Sequence, residues 1–244
     1  MMKHFLPFLI AIFGVSLTSN AKSPFFFHRI DINTGNLYTF AASNLITAGI
    51  NKVTNDRLCD NSFSYTIYDY DAPDSKIKDY NRVGESIRDL FADTSVGTRL
   101  GYQSFNLGFF NWGIYGSAHY RINQFKIKEQ DITIRNNMQR LQVGAGLMVS
   151  FGTMENENKL ILEAGIRYNL PIYYHISNIE ENQKALMKKG ISSHYSIRMG
   201  GLGPLKGLGV FLEVPHYNMF KSDIISLKPY TFGLTSVSYT HLTL

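Results

Sequence analysis

The sequence predicts an all-β protein closed into an antiparallel, up-and-down barrel, and three observations carry that prediction. Several segments alternate strictly between apolar and polar side chains. The connections between segments alternate short and long. The composition is rich in aromatics and poor in charge without being hydrophobic overall. Of 244 residues, 14% are aromatic, with 15 Tyr and 17 Phe, and only 18% are charged, against roughly 25% in soluble proteins. A mean hydropathy of −0.11 is too polar for a bundle of membrane helices. A barrel that meets lipid needs apolar residues on only one face of each strand.

Residues 1–21 read as an export signal. Lys3 and His4 give a short positive start, Phe5 to Leu17 an apolar run, and Ser19-Asn20-Ala21 the small residues that a signal peptidase reads. The run is shorter than the roughly 20 residues a spanning helix requires. No Cys follows it, which disfavours a lipid-anchored terminus. Beyond it no stretch approaches 18 apolar residues. A membrane location would therefore demand a closed barrel, the one strand architecture that satisfies all its backbone groups without water.

Residues 22–235 are expected to form about ten strands (eight to twelve), near 25–32, 37–50, 62–70, 95–105, 107–126, 139–151, 159–177, 191–202, 206–214 and 229–235. The clearest are the sixth and seventh. Leu141, Val143, Ala145, Leu147 and Val149 alternate with Gln142, Gly144, Gly146, Met148 and Ser150. Leu160, Leu162, Ala164, Ile166 and Tyr168 alternate with Ile161, Glu163, Gly165 and Arg167. Such runs match the 9–11 residues with which a tilted strand crosses the hydrocarbon layer. Connections are short near 106, 152–158 and 203–205, and long at 71–94, 127–138, 178–190 and 215–228. An even count with that phase puts both chain ends on the short-turn side. Within 71–94, Val83, Ile87, Leu90 and Phe91 recur at helical spacing and predict a short helix at the barrel mouth.

After Thr235 the apolar parity jumps to Val237 and Tyr239. A one-residue slip turns every side chain to the other face, so 236–244 reads as an irregular tail. It resembles a translated sequencing-adapter artefact, which would truncate the native C-terminus and make the strand count a minimum. Cys59, the single cysteine, has no disulfide partner and lies among polar residues, as a free exposed thiol would.

Signal, alternating strands and short-long connections together resemble the bacterial outer-membrane β-barrel proteins, over roughly residues 22–235. The resemblance is architectural, since no short string is diagnostic of a subfamily. It implies an outer-membrane location, contact with outer-membrane lipid, and insertion by the barrel-assembly machinery. Phe109, Phe110, Trp112, Tyr173, Tyr174, Tyr230 and Phe232 cluster at strand ends and are candidates for the aromatic girdle at the headgroups.

The polar parity places Arg99, His119, Arg121, Glu163, Arg167, Arg198 and Glu213 in the lumen. Unpaired interior charge is costly, so an ion-pair network is expected. Arg outnumbers Glu in this set, which would favour anions were the lumen an open constriction. The functional expectation is a structural or small-pore barrel without catalytic activity. The alternatives are a secreted or periplasmic β-sandwich that binds a ligand or another protein, and an outer-membrane lipid hydrolase built on Ser117 and His119 with Glu163 on a facing segment. No catalytic set, metal site or cofactor motif stands out. The net charge of +5 is scattered, without the like-charge block of a nucleic-acid arm. Oligomeric state is not legible.

Overall fold

A computed structural model describes residues 26–54, 58–71, 79–81, 93–104, 110–129, 132–151, 159–176, 187–200, 208–221 and 226–236. The expected signal, the tail and the helical spacing at 83–91 lie outside those residues. In chain order the elements are β1 (Phe26–Thr34), α1 (Leu37–Thr54), β2 (Cys59–Asp71), β3 (Asp79–Asn81), β4 (Thr94–Gln103), β5 (Phe110–Glu129), β6 (Ile132–Phe151), β7 (Lys159–Ile176), β8 (Gly190–Gly200), β9 (Gly209–Pro215), β10 (Phe220–Lys221) and β11 (Ser226–Ser236).

The protein is all-β around a closed barrel of nine strands, close to the ten expected. The ring runs β2-β1-β4-β5-β6-β7-β8-β9-β11 and closes where β11 pairs with both β9 and β2. It is one sheet closed on itself, so the two-layer sandwich weighed as an alternative is not its architecture. β3 pairs with β5, and β10 with β11, as short additions.

Every neighbouring pair is antiparallel except β1 and β2, which run parallel from Ile30 beside Cys59 to Thr34 beside Phe63. The exception has a physical cause. Parallel neighbours need a crossover, and α1 supplies it on the outside of the barrel. The second expected strand, at 37–50, is this helix. It carries the chain back along the wall, so nine strands plus one helix make ten passes. Both described ends, Phe26 and Ser236, therefore lie at the end where β4 joins β5, β6 joins β7 and β8 joins β9 (the turn end). The opposite rim is the loop end.

Asn36 caps α1: its Oδ1 accepts from the backbone N–H of Tyr38 at 2.9 Å and of Thr39 at 3.3 Å, which satisfies two of the helix's free donors. The expected long connection at 127–138 is also corrected. β5 and β6 pair continuously out to Glu129 beside Ile132, so most of that stretch is a hairpin reaching past the ring.

Period-two patterning governs the wall. On β6, Val143, Ala145 and Leu147 are exposed while Gln142, Met148 and Ser150 are buried. On β8, Ile191, Tyr195, Ile197 and Met199 are exposed while Ser192, His194, Ser196 and Arg198 are buried. The apolar core is correspondingly small. Ile30, Cys59 and Val96, with Ile32, Ile50 and Leu58 around them, form a cluster between the outer wall and α1.

Candidate functional site: a lumen filled by ion pairs

The polar face of each strand projects inward, and the side chains meet in two layers. Nearer the turn end, Arg99 on β4 donates through Nε and Nη2 to both carboxylate oxygens of Asp31 on β1, at 2.7 and 2.6 Å. Its Nη1 reaches Glu163 on β7 at 2.8 Å, and Nη2 also reaches Asp60 on β2 at 3.0 Å. Arg198 on β8 approaches from another wall, donating to the same Asp60 at 3.1 Å and the same Glu163 at 3.0 Å. The result is a closed square of charge, Arg99–Asp60–Arg198–Glu163. His119 on β5 adds a bond from Nε2 to Asp31 at 2.9 Å.

Toward the loop end, Arg121 on β5 donates to Asp93 at 3.0 and 2.6 Å and to Glu213 on β9 at 3.0 Å. Glu213 also accepts from Arg167 at 3.2 Å, Gln142 at 2.8 Å and Ser192 at 2.8 Å. Asp93 is further held by Asn123, Ser64 and Thr66. Beyond this layer Arg140 donates to Tyr217 Oη at 3.1 Å. Burial raises that phenol above its ordinary value.

Paired and hydrogen-bonded charge of this kind is the form in which a low-dielectric interior tolerates ions. Small residues make room for it. A β-carbon on Gly97 would overlap the His119 ring, and one on Gly146 would overlap the Tyr115 ring. Tyr115 in turn sits under Arg99, whose guanidinium carbon is 5.7 Å from the ring centre. Between these side chains lies a cavity of ≈ 60 Å³ bordered by Asp31, Asp60, Arg99, His119, His194 and Glu213 among others. That suits a few water molecules. His119 Nδ1, His194 Nδ1 and Arg198 Nε, all buried, have no protein partner, and water in the cavity is the natural complement.

All seven side chains assigned to the lumen meet in this network or, for His119, on its Asp31 edge. Sequence reasoning missed Asp31, Asp60, Asp93 and Arg140. Their inclusion shrinks the arginine excess: Arg99, Arg121, Arg140, Arg167 and Arg198, with Arg29 beside Arg99 on the same face, stand against Asp31, Asp60, Asp93, Glu163 and Glu213. Asp31 was visible in Ile30-Asp31-Ile32-Asn33, and Asp60 in the parity shared with Ser62, Ser64 and Thr66. Asp93 precedes β4 in a left-handed turn, φ 48°, which no periodicity marks. Ser117 and His119 do not form the pair a hydrolase would need: His119 Nε2 bonds Asp31 and Nδ1 has no protein partner, so neither ring nitrogen meets the Ser117 hydroxyl. Among the described residues no group of three or more His, Cys, Asp or Glu is placed to hold a metal ion.

The outer face is the reverse. Leu100, Ile114, Leu147, Ile166, Ile197 and Leu234, from six different strands, are 48–62% exposed. Near the turn end an aromatic chain runs Phe26–Tyr102–Trp112, with centroids 5.7 and 5.9 Å apart, and Phe110 packs on Phe151 at 5.6 Å. Of the candidate girdle residues, Phe110, Trp112 and Tyr173 are exposed, at 41%, 42% and 43%, and Tyr174 is half-buried. Tyr230 and Phe232 lie mid-strand because β11 begins at Ser226, and Phe109 falls outside the described residues. Cys59, expected to be exposed, is 1% exposed and covered by α1. Comparison with protein-family models, curated proteins and solved structures finds no match to this chain.

Proposed function

We propose that the protein is a bacterial outer-membrane barrel of structural type, exported by its N-terminal segment, inserted by the barrel-assembly machinery and closed to solutes. The observation that carries this reading is the inverted polarity of the wall. Around the ring, exposed side chains are aliphatic or aromatic while charged ones are interior, the opposite of a soluble fold. Exposed apolar surface on soluble monomers is seldom continuous beyond a few hundred Å². An aromatic belt near the turn end fits the headgroup zone. Within the structural-or-pore class, the cross-linked lumen and its water-sized cavity favour a closed barrel. No catalytic role is assigned.

The sole tryptophan makes the test direct. Trp112 lies on the outer face, 42% exposed. The protein reconstituted in vesicles whose lipids are brominated on the acyl chains should show strong quenching of its indole fluorescence. It should also migrate differently on a denaturing gel before and after boiling. Unquenched emission with identical migration would overturn the membrane reading.

A further inference from the structure

Helix α1 has its polarity inside out. A helix on the surface of a soluble protein turns its apolar stripe to the core and its polar stripe to water. Here Ser43, Thr47 and Asn51, spaced four apart on one face, turn toward the barrel. Ser43 Oγ donates to Asn61 Oδ1 at 2.9 Å. Asn51 behaves like a short stretch of strand: its Oδ1 accepts from the N–H of Leu58 at 3.0 Å and of Cys59 at 2.7 Å, and its Nδ2 donates to the Cys59 carbonyl at 2.9 Å.

The opposite face carries Leu37 at 63%, Leu45 at 78%, Ile46 at 57% and Val53 at 87% exposure, with Ala41, Ala42 and Gly49 exposed between them. The single charge of the helix, Lys52, sits in its last turn, where a long side chain reaches a polar boundary. No helix among the described residues is long and apolar enough to cross a membrane. Hydropathy averages over both faces, and the inner face of α1 mixes Ser43, Thr47 and Asn51 with Phe40 and Ile50, which pack on the wall.

We infer that α1 is a lipid-contacting helix, clamped to the barrel wall by its polar stripe and presenting Leu37, Leu45, Ile46 and Val53 to acyl chains. The inference rests on the membrane reading above and adds a second kind of element to the lipid boundary. Two observations favour lipid over a protein partner. The apolar face has counterparts on the wall: Ile67 on β2, against which α1 packs, and Leu100 on β4, two strands further round, are exposed too, so a lipid layer that covers the wall meets the helix as well. Its 18 residues also extend about 27 Å, close to the roughly 25 Å apolar band of outer-membrane barrels. Polar side chains turned to a protein neighbour and aliphatic ones to the surroundings are how helices pack in lipid.

The test compares two single-tryptophan proteins in vesicles of acyl-brominated lipid: the unaltered chain, reporting through Trp112, and a W112F/L45W variant. Both are expected to lose at least half their emission relative to unbrominated vesicles. A quenched Trp112 with an unquenched indole in the variant would overturn the inference and leave the membrane reading intact. If cross-linking then gave a dimer, the face would belong to a second copy. Should neither be quenched, both readings fail. The unaltered chain supplies a check that needs no mutation: a membrane-soluble photoactivated carbene should label the peptide containing Leu45 and Ile46, and absence of label there with label around Trp112 counts against α1 alone.

Discussion

Arg121 on β5 and Glu213 on β9 meet across the width of the lumen, Nη1 to Oε2 at 3.0 Å. Three strands separate them one way round the ring and four the other, so the bond ties opposite walls. Removing one partner strands a buried charge, which typically costs about 3–5 kcal/mol. Arg121→Met should lower unfolding free energy by about that amount, read from urea unfolding of the reconstituted protein. The double replacement R121M/D93N, which also neutralises the stranded Asp93 and leaves Glu213 paired with Arg167, should cost less than R121M alone. Equal stabilities for unaltered protein and R121M would contradict the network.

On the proposed reading, the charge square near the turn end should set permeability. Planar bilayers containing the unaltered protein should show no ion conductance. In R99A/R198A, five ion pairs are lost and Asp31, Asp60 and Glu163 remain without these counter-charges. The double variant should conduct, and should pass cations over anions because acidic groups then line the opening. Anion selectivity, or an unaltered barrel that conducts, would refute this assignment.

Cys59 reports on the helix. Buried beneath α1, it should resist a thiol-reactive maleimide until the protein is unfolded. Thr47→Pro removes a helical donor and clashes with the preceding turn, at about 3 kcal/mol or more. That substitution should loosen α1 and expose the thiol, raising its labelling rate at least tenfold. Mass spectrometry after timed labelling gives the answer.

Two glycines separate the inner face from the outer. Gly97→Val would drive a side chain into the His119 ring, and overpacking of this kind costs about 1–3 kcal/mol. At Gly116, on the outer face, the nearest atom to an added β-carbon is 3.9 Å away. Gly116→Ala should change stability by no more than about 0.5 kcal/mol. Unfolding midpoints of the two variants test the contrast directly.

Much of β5 to β9 was legible because alternation is strict wherever one face meets a filled interior and the other an apolar boundary. Leu141 to Phe151 and Leu160 to Leu170 fixed the facing of Glu163 and Arg167 without any structure. The N-terminal third was harder. Residues 37–50 read as strand because an amphipathic helix is recognised by an apolar face that hides, whereas α1 shows its apolar face and hides Ser43, Thr47 and Asn51. The spacing was still present: Leu37-Tyr38, Ala41-Ala42 and Leu45-Ile46 recur every four residues after the Asn36 cap. Asp31 and Asp60 were lost although each sits in a short alternation, because the stretch between them was read as a strand and not as a helical crossover.

The parallel seam also constrains how the molecule is assembled. A ring built by adding hairpins would give β2 a partner on each side almost at once. Instead β2 meets β1 on one side through the helical detour, and its other edge stays open until β11 arrives, with Thr66 finally beside Thr231. The first part of the chain to be synthesised thus holds the last hydrogen-bonding edge to be satisfied. Contacts so distant in sequence form slowly, and an open edge is a template for misplaced pairing. Until β11 zips the cylinder shut, a nascent copy would carry that edge unpaired.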